Sequence, residues 1–239
     1  MLLYIQMDKI INFDKMIKKR KYRNVNKKSL LHPCRAILMG PSGCGKSTAL
    51  CNLVTNPLTK MTYDRIYLYA KQLDEELYEW LIKKFEKIEA KLSKQTKTQV
   101  KILFTGSSIN DIVPVDEMDK SLQNLVIFDD MVVESEANQH VILDYFIRGR
   151  KMNCSMIYLA QSFYSIPKDI RGNINYLILF NVSNRQDLNR IFKDSIRGIE
   201  WDDFVRKYNE IISRNIHGFL TVDMVTDDPD LRVREGITG

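Results

Sequence analysis

Gly40-Pro41-Ser42-Gly43-Cys44-Gly45-Lys46-Ser47-Thr48 fits the pattern G-x-x-x-x-G-K-[ST] at every position. The flanks agree with it. Arg35-Ala36-Ile37-Leu38-Met39 reads as a short buried strand, and Ser47 to Val54 reads as the first turns of a helix. Strand, glycine loop and helix in that order are the context in which the pattern holds phosphate. Glycines let successive backbone N–H groups turn inward around an anion, and the helix N-terminus adds partial positive charge. Gly40 through Thr48 are therefore assigned to nucleotide binding, with Lys46 reaching the β- and γ-phosphates and the Ser47 hydroxyl holding Mg²⁺. The plain alternative is a glycine-rich turn with a lone lysine; motif and context together weigh against it.

A second part of a site lies downstream. Asn124-Leu125-Val126-Ile127-Phe128-Asp129-Asp130 is an apolar run ending in two acids. The run suits a central parallel strand buried on both faces. Its acids then fall at the C-terminal tip, where open α/β sheets hold ligands. Asp129 is the expected second metal ligand, and Asp130 is placed to orient or deprotonate an attacking water.

The 239 residues suffice for one large α/β domain. With 44% hydrophobic and 28% charged residues, the composition is that of a globular chain. No apolar run approaches the ~18 residues needed to span a bilayer, so no membrane association is expected. Met1 to Ile5 is followed too soon by Gln6 and Asp8 to read as a signal peptide. Cys34, Cys44, Cys51 and Cys154 have neither C-x-x-C spacing nor histidine partners, which argues against a zinc site or a disulfide framework. Cys44 lies inside the loop, where thiol modification would block nucleotide; a small loop residue is the simpler reading. The net charge is +6, and Lys15 to Lys28 holds eight basic residues and no acid, leaving the rest near neutral. A basic arm over residues 1–30 is thus expected to contact nucleic-acid phosphates, to target the chain, or merely to be solvated. A nucleotide-binding domain follows over 31–225, and then a loose polar tail over 226–239.

Further strands are expected at 65–70, 101–105, 154–160, 176–182 and 219–223. Helices are expected near 74–92, 136–148, 185–192 and 201–213. The first of these helices carries Leu77, Trp80, Leu81, Phe85, Ile88 and Leu92 at helical spacing, with Glu75, Glu76, Glu79, Lys83, Lys87 and Lys91 toward solvent. Alternating strands and helices predict a phosphate-loop α/β fold, with a largely parallel central sheet and helices on both faces. Gln161 would end the strand beside the acidic one, well placed to sense the γ-phosphate or water.

A phosphate loop alone does not choose among kinases, GTPases and motors. No N-K-x-D motif is present to read guanine, and no arginine-rich kinase lid is evident. Phe146 to Ser162 is more selective: a basic cluster, Arg148-Gly149-Arg150-Lys151, then a buried strand, then Gln161-Ser162, with Ile166-Pro167-Lys168 and Arg171-Gly172-Asn173 beyond. With Gly40–Thr48 and Asp129-Asp130, these stretches make residues 34–195 resemble the FtsK–HerA superfamily. They look most like the poxvirus-type genome-packaging ATPases and their virophage and Maverick/Polinton relatives. Asp-Asp stands where FtsK-like proteins commonly have Asp-Glu.

The resemblance implies an ATP- and Mg²⁺-dependent motor, a homo-oligomeric ring that drives double-stranded DNA into a capsid. A capsid or portal partner is implied as well, with a location at virus assembly sites in the host cytoplasm or nucleus, or in the virion. It also implies a neighbour's arginine finger, for which Arg150 and then Arg148 are the candidates, with Arg171 and Arg185 behind them; a salt bridge or a DNA-backbone contact is the competing role for each. Three other readings stay open: a cellular FtsK/HerA-like DNA pump, a small-molecule kinase, and a nucleotide-gated binding module worked by the basic arm.

Overall fold

The computed structural model describes residues 22–24, 28–56, 62–131, 136–182 and 184–238. Its strands are β1 (Arg35–Met39), β2 (Arg65–Ala70), β3 (Leu103–Gly106), β4 (Asn124–Asp129), β5 (Cys154–Ala160), β6 (Tyr176–Leu179), β7 (Leu220–Asp223) and β8 (Val233–Glu235). The helices are α1 (Lys46–Thr55), α2 (Glu76–Thr96), α3 (Glu136–Arg148), α4 (Lys168–Arg171), α5 (Arg185–Ser195), α6 (Trp201–Arg214) and α7 (Pro229–Arg232). One sheet runs in the order β3-β2-β4-β5-β1-β6-β7-β8. Its first six strands are mutually parallel, β7 runs antiparallel to β6, and β8 antiparallel to β7. The expected α/β fold with a largely parallel sheet is the one observed.

Alternation along the strands divides the apolar residues between two layers. Ala36, Leu38, Leu125 and Ile127 cluster with Leu50 and Leu53 of α1 and with Tyr78, Leu81 and Phe85 of α2. Ile37, Met39, Val126 and Phe128 cluster with Tyr145 and Phe146 of α3, Leu188 of α5 and Phe204 of α6. Burying each of the larger side chains contributes about 1.5–3 kcal/mol, so both faces clamp the central strands and hold β1, β4 and β5 in fixed register. Their C-terminal tips share one edge, because Gly40 N donates to Ala160 O at 3.2 Å and Asp129 pairs with Leu159.

Two segments differ from expectation. The buried face of α2 is Tyr78, Leu81, Phe85 and Glu89, while Trp80 and Ile88 are 47% and 38% exposed. The helix is rotated toward two residues whose polar ends find partners. The Glu89 carboxylate accepts from Ile102 N and Leu103 N, both at 2.8 Å, and pairs with Lys101. Trp80 lies instead under the Lys84 ammonium, 4.6 Å from its ring centroid.

The tail expected to be loose forms α7 and the eighth strand. It buries because Arg234, 5% exposed, donates to Ile237 O at 2.7 Å and faces Asp223 at 3.7 Å; a paired charge can enter a core that a lone one cannot.

Most of the basic arm, residues 1–21 and 25–27, lies outside the described residues. Arg23 is described, and it is used structurally. Its guanidinium bonds Asp64, and its backbone N–H donates to the Gln123 side chain at 2.7 Å. Among the described residues, no helix is long and apolar enough to cross a membrane.

Candidate functional site

The loop from Gly40 to Gly45 is shaped by close approach. A Cβ on Gly40 would lie 2.6 Å from Phe180 Cβ and 2.7 Å from Cys44 Sγ. Gly45 caps α1 with φ at 104°, where a side chain is strained. The first N–H groups of α1 therefore open on the loop without a side-chain cap, which is the arrangement that receives an anion. Lys46 begins this helix, and its Nζ donates to the carbonyls of Gly40 at 2.8 Å and Pro41 at 2.9 Å. The ammonium thus folds back on its own loop. Both acceptors are neutral, so a phosphate oxygen competes with them favourably. Cys44 is buried, and burial pushes its thiol up, away from the reactive thiolate.

Asp129 ends β4 and faces the loop. Burial pushes its carboxyl up to about 6; a hydrogen bond from Tyr78 opposes this, the charges of Glu75 and Asp130 add to it, and Lys46 offsets part. The Tyr78 hydroxyl donates to Asp129 Oδ2 and also hydrogen-bonds Ser47. One buried tyrosine thereby stands between the two residues expected to bind metal. Asp130 follows with φ at 53°, a left-handed turn that an aspartate tolerates better than most residues. Its carboxylate accepts from Gln161 Nε2 at 3.5 Å.

These groups line one cavity of about 440 Å³ at the C-terminal edge of the sheet. The cavity brings together Ser42, Gly43, Gly45, Lys46, Ser47, Thr48, Asp129, Asp130 and Gln161, and adds Asn52, Glu75, His217 and Phe219. Arg148 and Arg150 stand elsewhere. They lie at the end of α3 and in the following 3-10 turn, Gly149–Met152, on the N-terminal side of β5. Seven residues of β5 separate that edge from the cavity, roughly 20 Å at the usual strand rise. Arg148 pairs with Asp116 and approaches Asp144 at 3.9 Å. Arg150 is exposed, and its charge pushes the neighbouring Arg35 guanidinium down, after the larger effect of burial. Arg171 stacks over Phe163 and Tyr164 at 5.1 and 4.8 Å and lies 3.8 Å from Asp194. Arg185 is exposed at the start of α5, on the cavity's edge of β6.

Nothing in the sequence marks Asn52, Glu75, His217 and Phe219 as cavity residues, nor Tyr78 as the partner of Asp129. Glu75 reads as part of a solvent face and Tyr78 carries no motif, yet both follow the tip of β2, at the edge where parallel sheets bind ligands. His217 and Phe219 carry no motif; only the antiparallel return of β7 brings them to the loop.

The profile of the family described as Poxvirus A32 protein matches residues 21–220. The DNA packaging protein OPG160 of Variola virus is 25% identical over 204 residues, spanning 84% of this chain and 73% of the relative. Its counterpart from Vaccinia virus (strain Copenhagen) gives the same identity and coverage. Among solved structures, the genome packaging NTPase B204 from Sulfolobus turreted icosahedral virus 2, in complex with sulfate, superposes with a TM-score of 0.54 at 13% identity. The match covers 85% of this chain and 95% of that one. The DNA-packaging ATPase B204 from Sulfolobus turreted icosahedral virus also gives 0.54, at 12% identity, over 87% of this chain and 97% of its own. At such identity the likeness is one of fold.

Proposed function

The chain belongs to the Poxvirus A32 protein family, and on that premise we propose that it is an ATPase that drives double-stranded DNA into a viral capsid. The observation that carries this is the single cavity in which Lys46, Ser47, Asp129, Asp130 and Gln161 meet, in a chain whose relatives are named DNA packaging proteins.

The loop N–H groups and Lys46 bind the phosphates. An oxygen set of hydroxyl and carboxylate suits Mg²⁺, which keeps most of its own water and needs only one or two protein groups; Ser47 and Asp129 would hold it, with Tyr78 fixing both. Bound there, the ion would neutralise charge on the phosphate oxygens. Asp130 orients the attacking water and accepts its proton, and Gln161, hydrogen-bonded to Asp130, reports the state of the terminal phosphate to the loop after β5. Subunits assemble into a ring, and Arg150 or Arg148, far from its own cavity, serves a neighbour's site or the DNA backbone. The basic arm adds sequence-independent phosphate contacts. The protein acts where virions assemble and meets a capsid or portal component there.

The test is ATP hydrolysis by the full chain with and without linear double-stranded DNA. Turnover is expected to rise with DNA and to fall about 10²–10³-fold in Lys46→Ala. Equal turnover with and without DNA would overturn the packaging reading, and phosphate transfer to a small acceptor would replace it with a kinase.

A further inference from the structure

The cavity is longer than the phosphate chemistry needs. Terminal-phosphate groups gather at the tips of β4 and β5: Asp129, Asp130 and Gln161. The phosphate loop rises from β1, next in the sheet, and β6 and β7 follow. From β4 to β7 is four strand spacings of about 4.8 Å. Because β7 runs antiparallel to β6, with Leu220 opposite Leu179, the residues leading into it return to the ligand edge. Those residues are His217, Gly218 and Phe219, and the first and last line the cavity.

The segment is held firmly. Asn215 Oδ1 accepts from His217 N at 2.9 Å, and Asn215 O accepts from Gly218 N at 2.7 Å. A Cβ on Gly218 would lie 2.8 Å from Asn215 O and 2.9 Å from Ile211 O, so only glycine lets the turn press this close to α6. The Phe219 ring packs on Phe180 with centroids 4.8 Å apart, and Phe180 is the residue against which Gly40 is fitted. The His217 ring lies over the loop, its Cβ and Nδ1 3.5 Å from where a Cβ on Gly45 would be. Its Nδ1 is 3.3 Å from Cys44 O. A carbonyl only accepts, so Nδ1 carries the proton, and in the neutral ring Nε2 keeps a lone pair. Thr48 and Asn52, one turn apart on α1, line the same cavity.

We infer that His217 and Phe219, with Asn52, form the nucleoside subsite of this cavity. The phosphates are fixed over β1 with the terminal one toward β4, so the nucleoside must extend toward β7. There it meets two aromatic rings for stacking and an Nε2 acceptor for a ribose hydroxyl or an amino group of the base. The polar phosphate end and the aromatic end are thus read by segments about 170 residues apart in sequence. The inference rests on the cavity binding a nucleoside triphosphate.

The experiment compares binding of ATP and of inorganic tripolyphosphate to the full chain by calorimetry, in wild type, His217→Ala and Phe219→Leu. His217 is exposed, and leucine keeps Phe219's packing, so both variants should fold, as thermal unfolding will verify. Losing one stacked ring weakens base binding about tenfold. ATP affinity should therefore fall about tenfold in each variant while tripolyphosphate affinity stays unchanged. Equal losses for both ligands would make these residues phosphate contacts and overturn the inference, as would unchanged ATP affinity in both folded variants. A wild-type chain that binds tripolyphosphate no more weakly than ATP overturns it too. If wild type binds neither, the ATPase reading falls first and the subsite with it.

Discussion

The two edges of the sheet are built from the same strands and put polar groups to opposite uses. At the N-terminal edge, buried polar groups close on one another. His32, 4% exposed, has Nε2 2.9 Å from Asn153 Oδ1 and Nδ1 2.7 Å from Ser155 Oγ. The amide oxygen only accepts, so Nε2 carries the proton. Asn153 also donates to Leu122 O, and Ser155 Oγ accepts from Cys34 N at 3.0 Å. At the C-terminal edge the groups stay available. Lys46 holds only two neutral carbonyls, Asp129 is pushed up to about 6 mainly by burial, and Asp130 sits in a left-handed turn. A polar group that is already paired builds structure; one held in place but poorly paired is ready for a ligand.

The sharpest way to break this contrast is Lys46→Ala. Removing one positioned cation from developing phosphate charge should lower turnover by about 10²–10³-fold, with the unfolding temperature almost unmoved. Parallel loss of stability would place Lys46 with the structural groups.

Asn153→Ala should do the reverse. It removes buried hydrogen bonds and forces alanine to φ near 60°, together about 2–4 kcal/mol. A fall in unfolding temperature of roughly 5–15 °C is expected, with turnover per folded molecule unchanged.

Tyr78→Phe tests a group that belongs to both sides. It is buried like the N-terminal network, yet it aims at Asp129. Loss of one hydrogen bond of about 1 kcal/mol should raise the Mg²⁺ needed for half-maximal turnover about fivefold, leaving the rate at saturating Mg²⁺ nearly intact. A loss of rate that Mg²⁺ does not restore would contradict its positioning role.

Glu89→Gln has the smallest expected effect, about 0.5–1 kcal/mol at neutral pH, because the amide oxygen still accepts from Ile102 N and Leu103 N. Hydrogen bonds from Leu103 and Ile102 and the Lys101 ion pair outweigh burial and hold its carboxyl below the usual range. Its contribution is therefore present above the unfolded carboxylate pKa and is lost as pH falls through the folded one. Chemical denaturation of both proteins across that range should show the gap closing toward acid.

How far the sequence could be read follows the same division. β1, β2, β4 and β5 are legible because central parallel strands are unbroken apolar runs, and the glycine loop because its motif encodes backbone geometry. The face of α2 is not, because burial there depends on partners 13 and 51 residues away that make Glu89 and Tyr78 acceptable inside. Strand β8 is hidden by Arg234, polar until Asp223 pairs with it. His217 and Phe219 reach the cavity only through the return of β7, a topological fact with no local signature.

The central claim, that ATP turnover in this cavity moves DNA, is most directly tested by displacement of a triplex-forming strand from linear double-stranded DNA by the full chain. ATP-dependent displacement that is absent in Lys46→Ala is predicted. Sustained, DNA-stimulated hydrolysis with the third strand left in place would contradict it.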